Sequence, residues 1–256
     1  MKRQRILITN DDGIYARGLR SLMEVASKYG EVIVVAPEHP MSAKSHAITM
    51  DTPLVLREIK NSDDIKVYAC MGTPVDCTKI AIDYLLKDNP PTLVLSGINH
   101  GANSNTAVIY SGTMGAATEG SLYHIPSIGF SILNHDPKAD FLAAKSIAKT
   151  IIEAVITQNT KSDLCLNVNI PYIPLSEIKG IKVCRQSLGC WIEKFEKRTN
   201  PNGKEYFWLS GGFQNHEVDA VDNDEWALAN NYVSVVPVQT DMTDHKEIGA
   251  LEKWTF

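Results

Sequence analysis

The chain has 256 residues, 44% of them apolar or aromatic and 21% charged, which excludes a disordered, collagenous or low-complexity protein and provides for a sizeable core. Its 25 Lys and Arg against 30 Asp and Glu give a formal charge of −5, which argues against a protein that coats a nucleic-acid duplex but leaves room for a local phosphate site. The five cysteines are odd in number and contain no C-x-x-C pair, and no apolar run reaches the length of a signal-peptide core or a membrane span, so the expectation is one domain over 1–256, cytoplasmic, with reduced thiols and no membrane partner.

Ile6-Leu7-Ile8-Thr9 is a short apolar run ended by polar residues, the pattern of a buried parallel strand. A helix follows, with Leu19, Leu22, Met23 and Ala26 on one face and Gly30 placed as the glycine that ends it. Val32 to Ala36 is a second buried strand closed by Pro37, so a β-α-β unit and with it a parallel sheet are predicted. Thr73 as N-cap, Pro74 behind it and Asp76 at the third position start the next helix, whose buried face is Ala81, Ile82, Leu85 and Leu86 and which Pro90-Pro91 breaks. Leu93-Val94-Leu95 is a third strand, followed by a Gly/Asn loop from Gly97 to Thr106 and a helix beginning near Thr113. Ile125 to Ile132 reads as a further strand, and Phe141, Ala144, Ala148, Ile151, Ile152 and Val155 mark a long amphipathic helix. Beyond about residue 170, alternating stretches around Val183 and Tyr206-Phe207-Trp208 and a turn at Pro201 to Gly203 predict hairpins. Glu217, Asp219, Asp222, Asp224 and Glu225 predict a solvated acidic face and a helix start, and Tyr232 to Val238 a strand that rejoins the sheet or covers its edge.

In doubly wound α/β folds ligands bind beyond the carboxyl ends of the parallel strands. The residues there are Asn10, Asp11, Asp12 and Gly13 after the first strand, Ser42, Ser45 and His46 after the second, and Gly97, Asn99, Gly101 and Asn103 after the third. Two adjacent carboxylates raise each other's pKa unless something positive lies between them, and a hard divalent cation with Ser42 and Asn99 completing an oxygen shell is one remedy; a polar turn that caps the next helix is the simpler alternative. Ser111-Gly112-Thr113 before a small-residue helix reads either as an anion pocket or as plain N-capping. Neither G-x-x-x-x-G-K-[ST] nor G-x-G-x-x-G is present in these loops. His46, His100 and His216 are candidate proton carriers or ordinary loop histidines, Cys70 and Cys77 small buried hydrophobes, and the four tryptophans interface or packing residues.

Ile6 to Gly13, Val35-Ala36-Pro37 with Ser42-Ala43 and His46, Gly72 to Cys77, Leu95 to Asn99 with Gly101 and Asn103, and Tyr110 to Thr113 together resemble the SurE (survival protein E) nucleotidase family, in order and over nearly the full length. Arg185-Gln186, Pro201-Asn202-Gly203 and Tyr232 to Val235 extend the likeness. The resemblance implies a Rossmann-like three-layer α/β core with a mostly parallel sheet and a C-terminal β-hairpin arm at about 180–210 that joins subunits into homodimers or homotetramers. It implies a metal-dependent phosphatase acting on nucleoside 5′- and 3′-monophosphates, in some members on polyphosphate, with one divalent cation per subunit, Mg²⁺ or Mn²⁺. The family's metal ligands fall on Asp11, Asp12, Ser42 and Asn99, with Asp11 and Asp12 at the reacting centre, and its phosphate contacts on Asn103, Ser111, Gly112 and Thr113.

The chain departs from the family pattern at Asn105 and Ala107, where a glycine and an acid are usual, at Lys44-Ser45 and Ala47 around His46, and at Asn231 in place of a glycine. Asn tolerates the left-handed backbone such a glycine supplies. Two rival functions use similar parts. A receiver-like signalling domain needs a phosphoacceptor Asp after its third strand, where this chain has Ser96 and Asn99, and a covalent aspartyl phosphatase needs D-x-D, where this chain has adjacent acids.

Overall fold

The structure, a computed structural model, describes residues 3–158 and 160–255. In chain order its elements are β1 (Gln4–Thr9), α1 (Arg17–Ala26), β2 (Gly30–Pro37), β3 (Leu56–Asn61), β4 (Ile65–Cys70), α2 (Pro74–Ile80), β5 (Leu93–His100), α3 (Gly112–Leu122), β6 (Ser127–Ile132) and α4 (Leu142–Thr157). They continue with β7 (Cys165–Ile170), β8 (Gly180–Val183), β9 (Gly189–Thr199), β10 (Glu205–Asn215), α5 (Asp224–Ala229), β11 (Tyr232–Val238) and α6 (His245–Leu251).

One sheet runs in the order β3-β4-β2-β1-β5-β6-β7-β11-β8. From β4 to β7 every neighbouring pair is parallel, whereas β3 and β11 add antiparallel to their neighbours β4 and β7. The chain therefore winds outward in both directions from β1, and the carboxyl ends of β1 and β5 form the switch point where a crevice opens. Alternation along the strands explains why the central runs are apolar throughout. Ile6 and Ile8 of β1 pack with Leu19, Leu22, Ile151 and Ile152 of α1 and α4, while Leu7 packs with Cys77, Ala81 and Ile82 on the opposite side. Met114 and Ala117 of α3 close over Cys165 of β7 on that second face.

The predicted capping box at Thr73 is present: its hydroxyl accepts from Asp76 N–H while the Asp76 carboxylate accepts from Thr73 N–H. The helix it starts passes into a π-helical turn, Ala81–Leu85, which buries Ala81 and Ile82 as expected. Gly30 serves differently from the expectation. α1 ends at Ala26, and Gly30 is the first residue of β2, where a Cβ would lie 1.9 Å from the Gln4 carbonyl oxygen. The glycine permits β1 and β2 to approach and does not terminate the helix. Three strands, β3, β4 and β7, have no counterpart among the predicted elements. β4 mixes Lys66 and Tyr68 with its apolar residues, and β7 interrupts its run with Asn167 and Asn169.

The stretch around Val183 is β8, which pairs with β11 in the main sheet, so the free hairpin spans 189–215. Its turn at Pro201 to Gly203 is held by Asn200, whose side-chain oxygen accepts from the amides of Asn202 and Lys204. β11 rejoins the sheet between β7 and β8. The acidic stretch is not wholly solvated. Glu217 and Asp222 each make paired hydrogen bonds with the Arg185 guanidinium, and Asp224 is 1% exposed, accepting from the backbone amides of Asn105, Ser187 and Glu225.

Candidate active site

The carboxyl end of β1 turns sharply at Gly13, whose φ is +95°, and Asn10 Nδ2 donates to the Gly13 carbonyl across that turn. The turn places Asp11 and Asp12 directly beyond the carboxyl end of β1. Asp11 is 4% exposed, and its Oδ1 accepts from the Thr113 hydroxyl at 2.5 Å. The start of α3 presses close to it: a Cβ on Gly112 would stand 3.2 Å from Asp11 Oδ2. Met41 N–H donates to the Asp11 carbonyl at 2.7 Å, which brings the loop after β2, and the exposed Ser42 on it, to the same place. Asp12 Oδ2 accepts from His100 N–H at the end of β5, and the neighbouring Asn99 donates its Nδ2 to the Gly101 carbonyl, turning Oδ1 the other way.

Burial is the largest influence on both carboxyls. It raises Asp11 to about 6, helped by the charge on Asp12 and opposed by hydrogen bonds from Thr113. Asp12 is raised for the same reason, against the His100 amide and the positive charge available on His100 and His135. No lysine or arginine contributes to either balance. Among the described residues no group of three or more His, Cys, Asp and Glu side chains is placed to hold a metal ion, so a cation here would need neutral oxygen donors beside the two carboxylates. A buried and a half-buried acid side by side, with no lysine or arginine against them, fit a hard divalent ion that keeps water ligands.

That fit has a consequence for stability. The folded pKa of Asp11, about 6, lies above its ordinary 3.8, so the ionised side chain destabilises the metal-free protein increasingly as pH rises through that window, and costs nothing below it. A cation paired with the carboxylate removes the penalty. Added Mg²⁺ should therefore raise Tm more at about pH 7.5 than at about pH 5. An equal rise at both values would place the ion away from Asp11.

The second half of the site is the loop after β5 and the start of α3. Ser111 is the N-cap: its Oγ accepts from Met114 N–H at 3.1 Å, which leaves the hydroxyl's own proton for an anion. Thr113 is committed to Asp11, so it couples α3 to the carboxylates. Asn103 is 6% exposed and is gripped by Ser131, Asn167 and Asn169 from β6 and β7. Asn105 adopts φ +50°, as expected of an asparagine where a glycine is usual, and its amide links onward to Glu225 at 2.7 Å. Asn231, the other such replacement, has φ +66°.

Two of the three candidate histidines lie elsewhere. His46 Nε2 is 2.7 Å from Glu119 Oε2, and Lys79 holds the other oxygen of that buried carboxylate at 2.6 Å, which draws the imidazole along α3. His216 is 3.5 Å from the Cys190 sulfur at the base of the hairpin. His100 is at the site through its backbone, while its ring meets Phe141 edge-on at 5.4 Å. Sequence reasoning passed over His135, whose ring lies against Gly101 so closely that a Cβ there would be 2.3 Å from its Cε1, and also Ser131, Asn167, Asn169 and Asp224. The two asparagines at alternate positions just before Pro171 were the available signal, since an amide in a central strand needs a partner.

Comparisons with known proteins place the chain among relatives of one family. The family model described as Survival protein SurE matches residues 6–193. The chain is similar to the 5′-nucleotidase SurE of Flavobacterium psychrophilum, 50% identical over 255 residues that cover 99% of this chain and 98% of that protein. It is 40% identical to the 5′-nucleotidase SurE of Chlorobaculum tepidum, covering 99% and 95% of the two. The crystal structure of the SurE protein from Aquifex aeolicus superposes with a TM-score of 0.82 at 35% identity, covering 97% of this chain and 98% of the other.

Proposed function

The chain belongs to the SurE family, and on that premise we propose that it hydrolyses nucleoside 5′- and 3′-monophosphates with the aid of one divalent cation per subunit, Mg²⁺ or Mn²⁺, held by Asp11, Asp12, Ser42 and Asn99. Its relatives make it a phosphomonoesterase of the nucleotidase class, which sets aside the receiver-like reading. The observation that carries the metal reading is the buried Asp11 beside the half-buried Asp12, facing the start of α3 with no lysine or arginine to balance them.

A cation bound there supplies Lewis-acid polarisation of the phosphoryl group and acidifies a water. The chain's own residues do the rest. The hydroxyl proton of Ser111 and the Gly112 amide, at the amino end of an 11-residue helix, face the phosphoryl oxygens with the positive end of the helix dipole. Asn103 offers an amide proton from the other side, and these donors favour the charge that builds up on the oxygens as the ester bond breaks. Thr113 keeps Asp11 ionised and oriented. Asp12 Oδ2 accepts from His100 N–H, which orients the carboxylate, and an Asp12 oxygen not taken up by the cation is placed to accept a proton from the attacking water.

The test is phosphate release from nucleoside monophosphates, polyphosphate and an aryl phosphate after chelation and addition of Mg²⁺, Mn²⁺, Ca²⁺ or Zn²⁺ in turn. Restoration of nucleotide hydrolysis by Mg²⁺ or Mn²⁺ is the expected result, and turnover indifferent to chelation would sink the metal reading. In the same assay Thr113→Ala should raise the Mg²⁺ concentration needed for half-maximal activity about tenfold, since Asp11 loses a hydrogen bond to its charged form, and Thr113→Ser should restore it. An unchanged metal requirement in Thr113→Ala would detach Thr113 from the metal site.

The hairpin supports an assembly of two or four identical chains. Phe195, Phe207 and Leu209 share one of its faces and are 67%, 58% and 62% exposed, more apolar surface than a free two-stranded ribbon keeps in water. Light scattering should find a homodimer or homotetramer, and removal of 189–215 should give smaller species or aggregates; an intact protein that is a monodisperse monomer would refute the arm. Among the described residues no helix is long and apolar enough to cross a membrane. The five free cysteines fit the reducing, cytoplasmic setting proposed here.

A further inference from the structure

Asn103 is held by a closed ring of hydrogen bonds. Its backbone N–H donates to Asn169 Oδ1 at 2.7 Å, Asn169 Nδ2 donates to Asn167 Oδ1 at 3.0 Å, and Asn167 Nδ2 donates back to the Asn103 carbonyl at 2.8 Å. A fourth bond runs from Asn103 Nδ2 to Ser131 Oγ at 2.9 Å. The ring determines both amide orientations, because turning either one over would set donor against donor or acceptor against acceptor. Ser131 and Asn169 are register partners on adjacent strands, so their side chains stand together on one face of the sheet.

Ser131, Asn167 and Asn169 are buried on the face of the sheet opposite Phe130, Val168 and Ile170, at positions where apolar side chains would extend the core with no polar group to satisfy. Three bonds of the network end on Asn103: at its backbone donor, at its backbone acceptor and at one proton of its side-chain amide. The remaining amide proton is thereby given one direction. We propose that Ser131, Asn167 and Asn169 are positioning residues that aim the Asn103 amide at a phosphoryl oxygen, so that the carboxyl ends of β6 and β7 take part in phosphate recognition although no residue of theirs touches the substrate. The inference rests on the reading of Asn103 as a phosphate contact. Pre-aimed donors lose no freedom when the phosphoryl group arrives, and the gain is largest where charge develops.

Ser131→Ala removes one hydroxyl from a small residue and is the mild variant; Asn169→Ala opens the ring. Both should raise the inhibition constant of inorganic phosphate about tenfold and lower kcat by a similar factor. The rise in Tm on adding Mg²⁺ should be unchanged, since the carboxylates are untouched. Asn103→Ala should show the same loss, and Ser131→Ala added to it should cost nothing further, the non-additivity expected of residues acting through one group. If Ser131→Ala binds phosphate as the wild type does while Asn103→Ala does not, the network only stabilises the fold and the proposal is wrong, with the reading of Asn103 left standing. If Asn103→Ala also binds phosphate normally, that reading and the proposal fall together.

Discussion

Asp11→Asn is expected to lower kcat on the order of 10³-fold, equivalent to about 4 kcal/mol of barrier, while the protein stays folded. The substitution is isosteric. It leaves an oxygen to accept from the Thr113 hydroxyl and removes one of the two negative charges that a cation would neutralise. Because burial lifts the Asp11 carboxyl to about 6, the charge is a burden on the metal-free protein at neutral pH, and its removal should leave the metal-free Tm equal to that of the wild type or higher. A variant that is stable, nearly inactive and no longer stabilised by Mg²⁺ is therefore the combined signature. Retention of more than about a tenth of wild-type turnover at saturating Mg²⁺ would remove Asp11 from the reacting centre.

Gly18→Ala is expected to cost on the order of 10² in turnover, although Gly18 does not take part in the chemistry. Gly18 lies in the first turn of α1, where the helix crosses the end of β5. A Cβ at that position would stand 1.9 Å from the Ile98 carbonyl oxygen and 2.9 Å from its carbon. Both are backbone atoms, so no side chain can swing aside. Either α1 withdraws from the sheet or the segment carrying Ile98 and Asn99 moves, and the second displaces Asn99, one of the four ligands proposed for the cation. The stability loss should be about 1–3 kcal/mol, a shift of several degrees in Tm. Gly249→Ala in α6 is the matched control, with nothing within 4 Å of the added atom, and should be neutral or slightly stabilising. Wild-type activity and Tm in Gly18→Ala would show that the helix can yield at no cost.

The core of the fold is legible in the chain because central parallel strands are covered on both faces, which imposes the unbroken runs Ile6 to Ile8, Val32 to Ala36 and Leu93 to Leu95. The places of Asp11, Ser42 and Asn99 at strand ends are legible for a related reason: in such a sheet ligands gather beyond the strand ends, and those ends can be counted along a sequence. What the tertiary structure alone decided are pairings between distant positions. Thr113 meets Asp11 across 102 residues, Asn103 meets Asn169 across 66, and Asn105 meets Asp224 across 119. Periodicity and capping rules describe neighbours within a few turns, and these partners are brought together only by the order in which strands line up in the sheet. That is why Asp224 reads as a solvated acid yet is buried under three backbone amides, why Gly30 reads as a helix terminator yet admits one strand to another, and why the bond from the Thr113 hydroxyl to Asp11 has no trace in the sequence. Chemical type is a property of the residue. Its partner, and with it the role, is a property of the packed sheet.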